Sequence, residues 1–230
     1  MHNRFPTRFC HRVTFALLFG LFIQISPATI AQDSGNDAAN DAATPEITDP
    51  ATASAVKQAK KNGNPVIALY TNLGTLHLEL YPEKSPKSVA NFVKYVQDSF
   101  YDGTIFHRVI EGFMIQGGGL DLRLEKKKTR DPVVNEADNG LLNEKFTISM
   151  ARTGDPHSAT AQFFINTADN DFLNHKAKEP SGWGYAVIGK MIGGMQIAEW
   201  MSKAPTGPAG PFSSDVPITP MVIEKATVLQ

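Results

Sequence analysis

From about residue 64 onward, apolar positions recur mostly with a period of two, and in two stretches with a period near 3.6. Leu76, Leu78 and Leu80 alternate with Thr75, His77 and Glu79, the pattern of a half-buried strand. The apolar stretch Pro65–Tyr70 precedes it across Asn72-Leu73-Gly74, so the two read as a hairpin. Further strands are predicted around Ile105–Val109, Phe113–Gln116, Phe146–Met150, Phe163–Asn166, Tyr185–Ile188 and Met221–Leu229. Ser85-Pro86 predicts a helix start, with Ser85 as N-cap and Pro86 in the first turn. Val89, Phe92, Val93 and Val96 then give that helix one apolar face. A second short helix is predicted over Met195–Ser202. Many strands with two separated helices fit a mainly β domain, and a closed barrel would leave no exposed edges. Leu120–Glu144 and Lys176–Gly184 read as long irregular loops, and long loops in compact domains tend to be functional or mobile. The Pro/Gly-rich Pro205–Pro220 reads as an extended loop before the last strand.

The first part of the chain has a different character. Arg4, Arg8 and Arg12 lead into the apolar run Val13–Ile25, which is short against the ~20 residues of a membrane span. Small residues up to Ala31 then offer a cleavage point, so residues 1–31 read as a secretory signal peptide. The alternative is an uncleaved N-terminal anchor. Residues 32–63 are rich in Ala, Asp, Asn, Thr and Pro and carry few large apolar side chains, so they read as a flexible linker, with room for a short helix near Ala53–Lys61. The folded domain is expected over residues 64–230.

Composition narrows the chemistry. The formal charge of the 230 residues is -1, and loss of residues 1–31 leaves 19 basic against 23 acidic side chains, so nucleic acid is not an expected partner. The single cysteine, Cys10, lies in the leader and allows neither an internal disulfide nor a cysteine zinc site. His107, His157 and His175 lack paired ligand spacing, and no metal is expected. No Gly-x-Ser-x-Gly elbow is present, and Gly112-x-x-x-x-Gly117 is followed by Gly118 rather than Lys, so neither a nucleophile nor a phosphate loop is indicated. The fourteen phenylalanines are expected to concentrate in one core.

The most informative run is Phe106-His107-Arg108-Val109-Ile110-Glu111-Gly112-Phe113-Met114-Ile115-Gln116, followed by three glycines. A cation in mid-strand among apolar neighbours is costly if buried alone, so a cleft explains Arg108 better than a core does. His107 should point to the other face of that strand. The glycines suit a close backbone approach or a bulge. One cation, two large apolar side chains and an amide together suit a neutral substrate with an apolar ring and a polar amide. Gln162-Phe163-Phe164-Ile165-Asn166 has the same character.

These two runs, with Asn91-Phe92, Ser149-Met150-Ala151-Arg152 and Gly184-Tyr185-Ala186-Val187-Ile188-Gly189, resemble the signature of cyclophilins, the peptidyl-prolyl cis/trans isomerases. The resemblance covers about Val66–Leu229 and is similar to the secreted bacterial branch. It implies a closed eight-stranded antiparallel barrel capped by two α-helices. It implies a groove lined by Arg108, Phe113, Met114, Gln116, Ala151, Arg152, Gln162, Phe164, Phe172, Leu173 and Tyr185. Arg108 matches the catalytic arginine. Phe113, Met114, Phe164 and Leu173 match the proline pocket, and Gln116 and Gln162 the peptide-positioning amides; Arg108, Phe113 and Gln116 are taken as the catalytic set. Phe172 stands where a tryptophan is usual and Tyr185 where a histidine is usual. Loss of the indole donor implies weak cyclosporin binding.

The implied activity is acceleration of X-Pro isomerisation in exported proteins, in the periplasm, by a monomer without cofactor and without stable membrane insertion once the leader is removed. Its expected partners are proline-containing peptides and unfolded exported proteins. A binding module that grips proline segments without turning them is the alternative, and retention of Arg108 favours the enzyme. A small-ligand barrel carrier is a weaker reading, because aromatic strands leave little hollow interior.

Overall fold

The computed structural model describes residues 47–229; the leader expected over 1–31 lies outside them. Strands β1 (Val66–Thr71) and β2 (Gly74–Leu80) form the expected hairpin, with Thr71 paired to Gly74 at the turn and Val66 to Glu79 at the far end. Ile67, Leu69, Leu76, Leu78 and Leu80 all enter the main core. The opposite face of this hairpin is not solvated, as alternation alone suggested. His77 and Glu79 are buried as well, because helix α1 (Pro50–Lys61) belongs to the same folded unit and contacts both strands.

Helix α1 starts three residues before the short helix expected near Ala53. The Asp49 carboxylate accepts hydrogen bonds from the amides of Ala51 and Thr52, and Pro50 occupies the first turn. Val56 and Ala59 are buried with Val66, against Ile47, Ile192 and Leu229. Among the described residues, the compact unit therefore begins ahead of Asn64 and includes α1. Two buried apolar positions in a polar helix are too faint a stripe to announce docking.

The remaining elements run α2 (Pro86–Gln97), β3 (Thr104–Ile110), β4 (Met114–Asp121), β5 (Thr147–Met150), β6 (Phe163–Asn166), β7 (Val187–Gly193), α3 (Met195–Ser202), β8 (Thr206–Ala209), β9 (Phe212–Pro217) and β10 (Val222–Leu229). Eight strands close into an antiparallel barrel in the order β1-β10-β3-β4-β6-β5-β7-β2, so the expected barrel and both of its expected helices are present. Inside it, Phe92 of α2 and Tyr101 pack edge-on against Phe163, and Phe106 stands edge-on to Phe163 at 5.9 Å. Such pairs are worth ~0.5–1.5 kcal/mol each beyond area burial. Among the described residues, three phenylalanines, Phe92, Phe106 and Phe163, are fully buried in this core; Phe113, Phe164 and Phe172 stand instead at the surface groove described below.

The glycine run is where the barrel wall thins. Gly118 has φ +78°, and a Cβ there would stand 2.7 Å from the Phe163 ring and 2.8 Å from Tyr101. The β3–β4 register shifts twice beside it, which is the anticipated bulge.

Two local expectations are corrected. Ser85 precedes α2 but does not cap it: its hydroxyl donates to the Val187 carbonyl at 2.8 Å. The amides of Lys87 and Ser88 are instead taken by the Glu136 carboxylate, at 3.1 and 2.8 Å, from a loop about fifty residues away. A carboxylate at a helix N-terminus gains from the helix dipole as well as from the hydrogen bonds. Residues 205–220 are not a plain extended loop. Thr206 pairs with Pro217 and Gly207 with Val216 in a separate two-stranded sheet, turning at Gly210. Trp200 and Ile218 are exposed around a surface recess next to this hairpin, an apolar feature that scattered residues 200 and 218 did not reveal.

Candidate active site

The register of three strand pairs builds the site. Arg108 on β3 lies opposite Gln116 on β4, Gln116 lies opposite Phe164 on β6, and Phe164 lies opposite Ser149 on β5. Side chains in one such row share a face of the sheet, and positions two residues along share it too. Met114 therefore joins Gln116 and Phe164 on the outer wall, while Ile115, Phe163 and Ile165 point into the core. His107 is only 3% exposed, with its ring 5.8 Å from that of Phe212, whereas Arg108 is part-exposed; the register shift between Phe106 and Arg108 interrupts the simple alternation expected of β3.

Loops complete the walls. Gly112, at φ +69°, turns the chain so that Phe113 sits beside Met114, and the Phe113 amide closes the turn on the Ile110 carbonyl at 3.1 Å. A 3-10 turn at Asp171–Leu173 brings in Leu173. Gly184, at φ +68°, lets the next segment lie against it: a Cβ on Gly184 would stand 2.6 Å from the Leu173 carbonyl oxygen. The Tyr185 amide donates to that same oxygen at 2.9 Å.

The result is a cavity of about 120 Å³ on the outer wall, lined by Arg108, Phe113, Met114, Gln116, Ala151, Arg152, Phe164, Leu173 and Tyr185. Met114, Phe164 and Leu173 form a small buried cluster of their own, with Phe113, Ala151 and Tyr185 packed on it. Two of the anticipated residues stand just outside. Gln162 lines an adjoining notch of about 130 Å³ that shares Gln116, Ala151 and Arg152, and its side-chain oxygen accepts from Gln116 Nε2 at 2.9 Å. Gly119 makes room for it, since a Cβ there would meet the Gln162 side chain at 2.3 Å. Phe172 stands on the rim, 65% exposed, with its ring 5.4 Å from that of Phe113.

The two arginines are held differently. Arg152 lies over the Tyr185 ring, 4.5 Å from its centroid, and donates to the carbonyls of Gly184 and Thr153 at 3.1 and 2.9 Å. Its fork is spent on backbone. The Arg108 side chain makes no hydrogen bond among the described residues; its Nε lies 3.7 Å from the Asp215 carboxylate. Its donors remain available to something in the notch.

A larger cavity, about 510 Å³, lies between the starts of α1 and α3. Its Asp49 carboxylate is engaged in capping α1, and burial holds the His77 imidazole below its usual range. Nothing there combines a free cation with an apolar notch, so size is a poor guide to the chemistry.

Behind the notch lies a group of asparagines that patterning did not single out. Asn143, almost fully buried, donates through Nδ2 to the carbonyls of Leu173 and Tyr185, both at 3.3 Å, and its Oδ1 accepts from Ser149 at 2.7 Å. Asn170 donates to the Phe113 carbonyl at 2.9 Å and to Asn166 Oδ1 at 2.7 Å. Phe113, Leu173 and Tyr185, from three separate loops, are thereby tied to one scaffold. Asn143→Ala strands several buried partners, at ~1–3 kcal/mol for each group left unpaired. We expect chemical denaturation to show that loss, and isomerase assays to show a fall in kcat/KM as the notch loosens. An Asn143→Ala protein with the parent's stability and activity would show that the scaffold is dispensable.

The barrel thus carries on its outer wall a small notch of apolar side chains with Arg108 and Gln116 at its edge. Comparison with known proteins agrees. The family described as "Cyclophilin type peptidyl-prolyl cis-trans isomerase/CLD" matches residues 66–228. The peptidyl-prolyl cis-trans isomerase cyp18 of Streptomyces antibioticus is 52% identical over 163 residues, covering 71% of this chain and 98% of its own length. Peptidyl-prolyl cis-trans isomerase B of Escherichia coli (strain K12) is 46% identical over 163 residues, covering 71% and 99%. A crystal structure of a cyclophilin type isomerase from Cryptosporidium parvum superposes with TM-score 0.58 at 26% identity, over 73% of this chain and 98% of that one. The chain belongs to the cyclophilin-type peptidyl-prolyl cis-trans isomerase family. It is an isomerase of X-Pro peptide bonds.

Proposed function

We propose that the notch formed by Phe113, Met114, Phe164 and Leu173 seats the prolyl ring and that Arg108 stabilises the twisted imide. The observation that carries this reading is the Arg108 guanidinium, which makes no side-chain hydrogen bond among the described residues, in the same cavity as Phe113, Met114, Phe164 and Leu173. Resonance in the peptide C–N bond sets a barrier of ~18–20 kcal/mol, while the two X-Pro isomers differ by only ~0.5–1 kcal/mol. A catalyst must therefore favour the half-rotated state over both planar ones. In that state the prolyl nitrogen becomes pyramidal and recovers a lone pair, which a guanidinium N–H can approach. Gln116, steadied by Gln162, faces the carbonyl that swings. Support for the ligand class comes from the Cryptosporidium parvum cyclophilin, whose crystal structure was also determined in the presence of the dipeptide Ala-Pro and superposes with TM-score 0.57.

No proton transfer enters this scheme. Arginine stays charged throughout the useful range. His107, the imidazole nearest in sequence, is pushed down by burial to about 4 and is neutral there. We therefore expect kcat to be flat from about pH 6 to 9, where unperturbed histidines change charge. A protease-free assay that finds a sigmoid near the histidine range contradicts the scheme.

We further propose that residues 1–31 act as an export leader, that the stretch from residue 32 to the start of α1 is a spacer, and that the clients are exported proteins in the periplasm. The Arg4/Arg8/Arg12 start, the apolar run and Ala31 support this, and no helix among the described residues is long and apolar enough to cross a membrane. Mass spectrometry of the protein from fractionated cells should find an N-terminus at Gln32. An intact Met1 in the membrane fraction favours the anchored alternative. Phe172 at the rim supplies no indole N–H, and weak cyclosporin affinity is expected from titration.

A further inference from the structure

We infer that Asp215 is the positioning residue for Arg108, delivered to it by the hairpin β8–β9. This rests on the role proposed above for Arg108. Of the guanidinium nitrogens, Nε is the one nearest the carboxylate, at 3.7 Å. The two terminal nitrogens stand farther from Asp215 and are left to the notch. Arg152 is held by two carbonyls and the Tyr185 ring, whereas Arg108 has Asp215 as its ionic partner.

The backbone at Asp215 departs from strand geometry to achieve this. Its φ is +67°, a left-handed conformation that Asp and Asn tolerate better than most side chains. A regular strand residue there would present its side chain in another direction. The hairpin is seated on β3 at the adjacent residue as well, with the Phe212 ring 5.8 Å from the His107 ring. Two neighbouring β3 residues are thus gripped, one through an aromatic contact and one through charge. The side chains of Arg108 and Asp215 are 42% and 33% exposed, so the pair is a weak guide rather than a lock. Exposed pairs of this kind are worth about a two- to fivefold change in an equilibrium or rate. Orientation of the guanidinium matters for the twisted state, so the change belongs in kcat and not in KM.

The test is a double-variant cycle on an uncharged proline peptide, using the parent, Asp215→Asn, Arg108→Ala and the double variant. Asparagine retains the shape and the tolerance for positive φ while removing the charge. Asp215→Asn should lower kcat about two- to fivefold at low salt with KM unchanged. Molar salt, which shortens screening to ~3 Å, should bring the parent down toward the variant and leave the variant where it was. In the Arg108→Ala background Asp215→Asn should have no further effect. A parent-like kcat for Asp215→Asn, beside a slow Arg108→Ala, overturns this inference and leaves the Arg108 reading standing. An equal loss in both backgrounds also overturns it, since the hairpin would then act generally. A fast Arg108→Ala removes both.

Discussion

Arg108→Ala should lower kcat/KM by about two to three orders of magnitude while the thermal midpoint stays near that of the parent, by analogy with removal of one preorganised donor from a charge-stabilising site. The stability half of this expectation follows from position. Arg108 is part-exposed, and its one ionic contact spans 3.7 Å to a part-exposed carboxylate, so little folding energy depends on it. The rate half follows from what the donor meets. In planar isomers the prolyl nitrogen's lone pair is delocalised into the carbonyl and accepts poorly. The guanidinium therefore interacts chiefly with the rotated state, and uniform binding, which cannot raise kcat, is avoided. Arg108→Lys keeps the charge but loses the planar fork, and should recover only part of the rate. An Arg108→Ala protein that isomerises a test peptide at the parent's rate leaves the notch without its proposed catalyst.

Folding stability should fall as pH drops from about 6.5 to about 4, by ~3 kcal/mol, because of His107. The sign follows from the direction of the shift. Burial disfavours the imidazolium, so the folded protein resists protonation until about pH 4, whereas the unfolded chain takes up the proton at its ordinary value of 6.5. Between those values acid favours the unfolded state. A backbone hydrogen bond to Ile105 offsets part of this, and the charge of Arg108, next in the chain, adds to the resistance. His77 is shifted the same way, mainly by burial, so a residual slope is expected after His107 is removed. His107→Phe retains an aromatic ring against Phe212 and should be markedly less acid-sensitive in urea titrations at pH 7 and pH 4.5. Equal pH slopes for parent and variant would locate the sensitivity elsewhere.

Both arguments depend on neighbouring residues of one strand, and that strand was legible in the sequence. Alternation marked β3 as a strand, although the register shift between Phe106 and Arg108 interrupts it, and resemblance to the family named the residues that line the groove. What local pattern could not show was any partnership across the chain. Asn143 is thirty residues from Leu173 and forty-two from Tyr185, yet its side chain is what joins them. Glu136 caps a helix that Ser85 was expected to cap, because the barrel brings a distant loop to that end. Asp215 lies in a Pro/Gly-rich stretch whose strand pairing has no periodic apolar signal, and its position beside Arg108 is a property of closure rather than of sequence spacing. Helix α1 was undervalued for a related reason: its buried face amounts to Thr52, Val56 and Ala59. Short-range chemistry was readable, and long-range polar contacts were not.

Exchange NMR on a saturating proline peptide separates turnover from affinity, and it addresses selective stabilisation of the twisted imide most directly. For Arg108→Ala the account predicts that cis/trans exchange in the bound peptide slows by about a hundredfold or more, while the peptide dissociation constant changes only slightly. An unchanged exchange rate in the bound state, with the whole effect in affinity, would contradict it and make Arg108 a binding residue only.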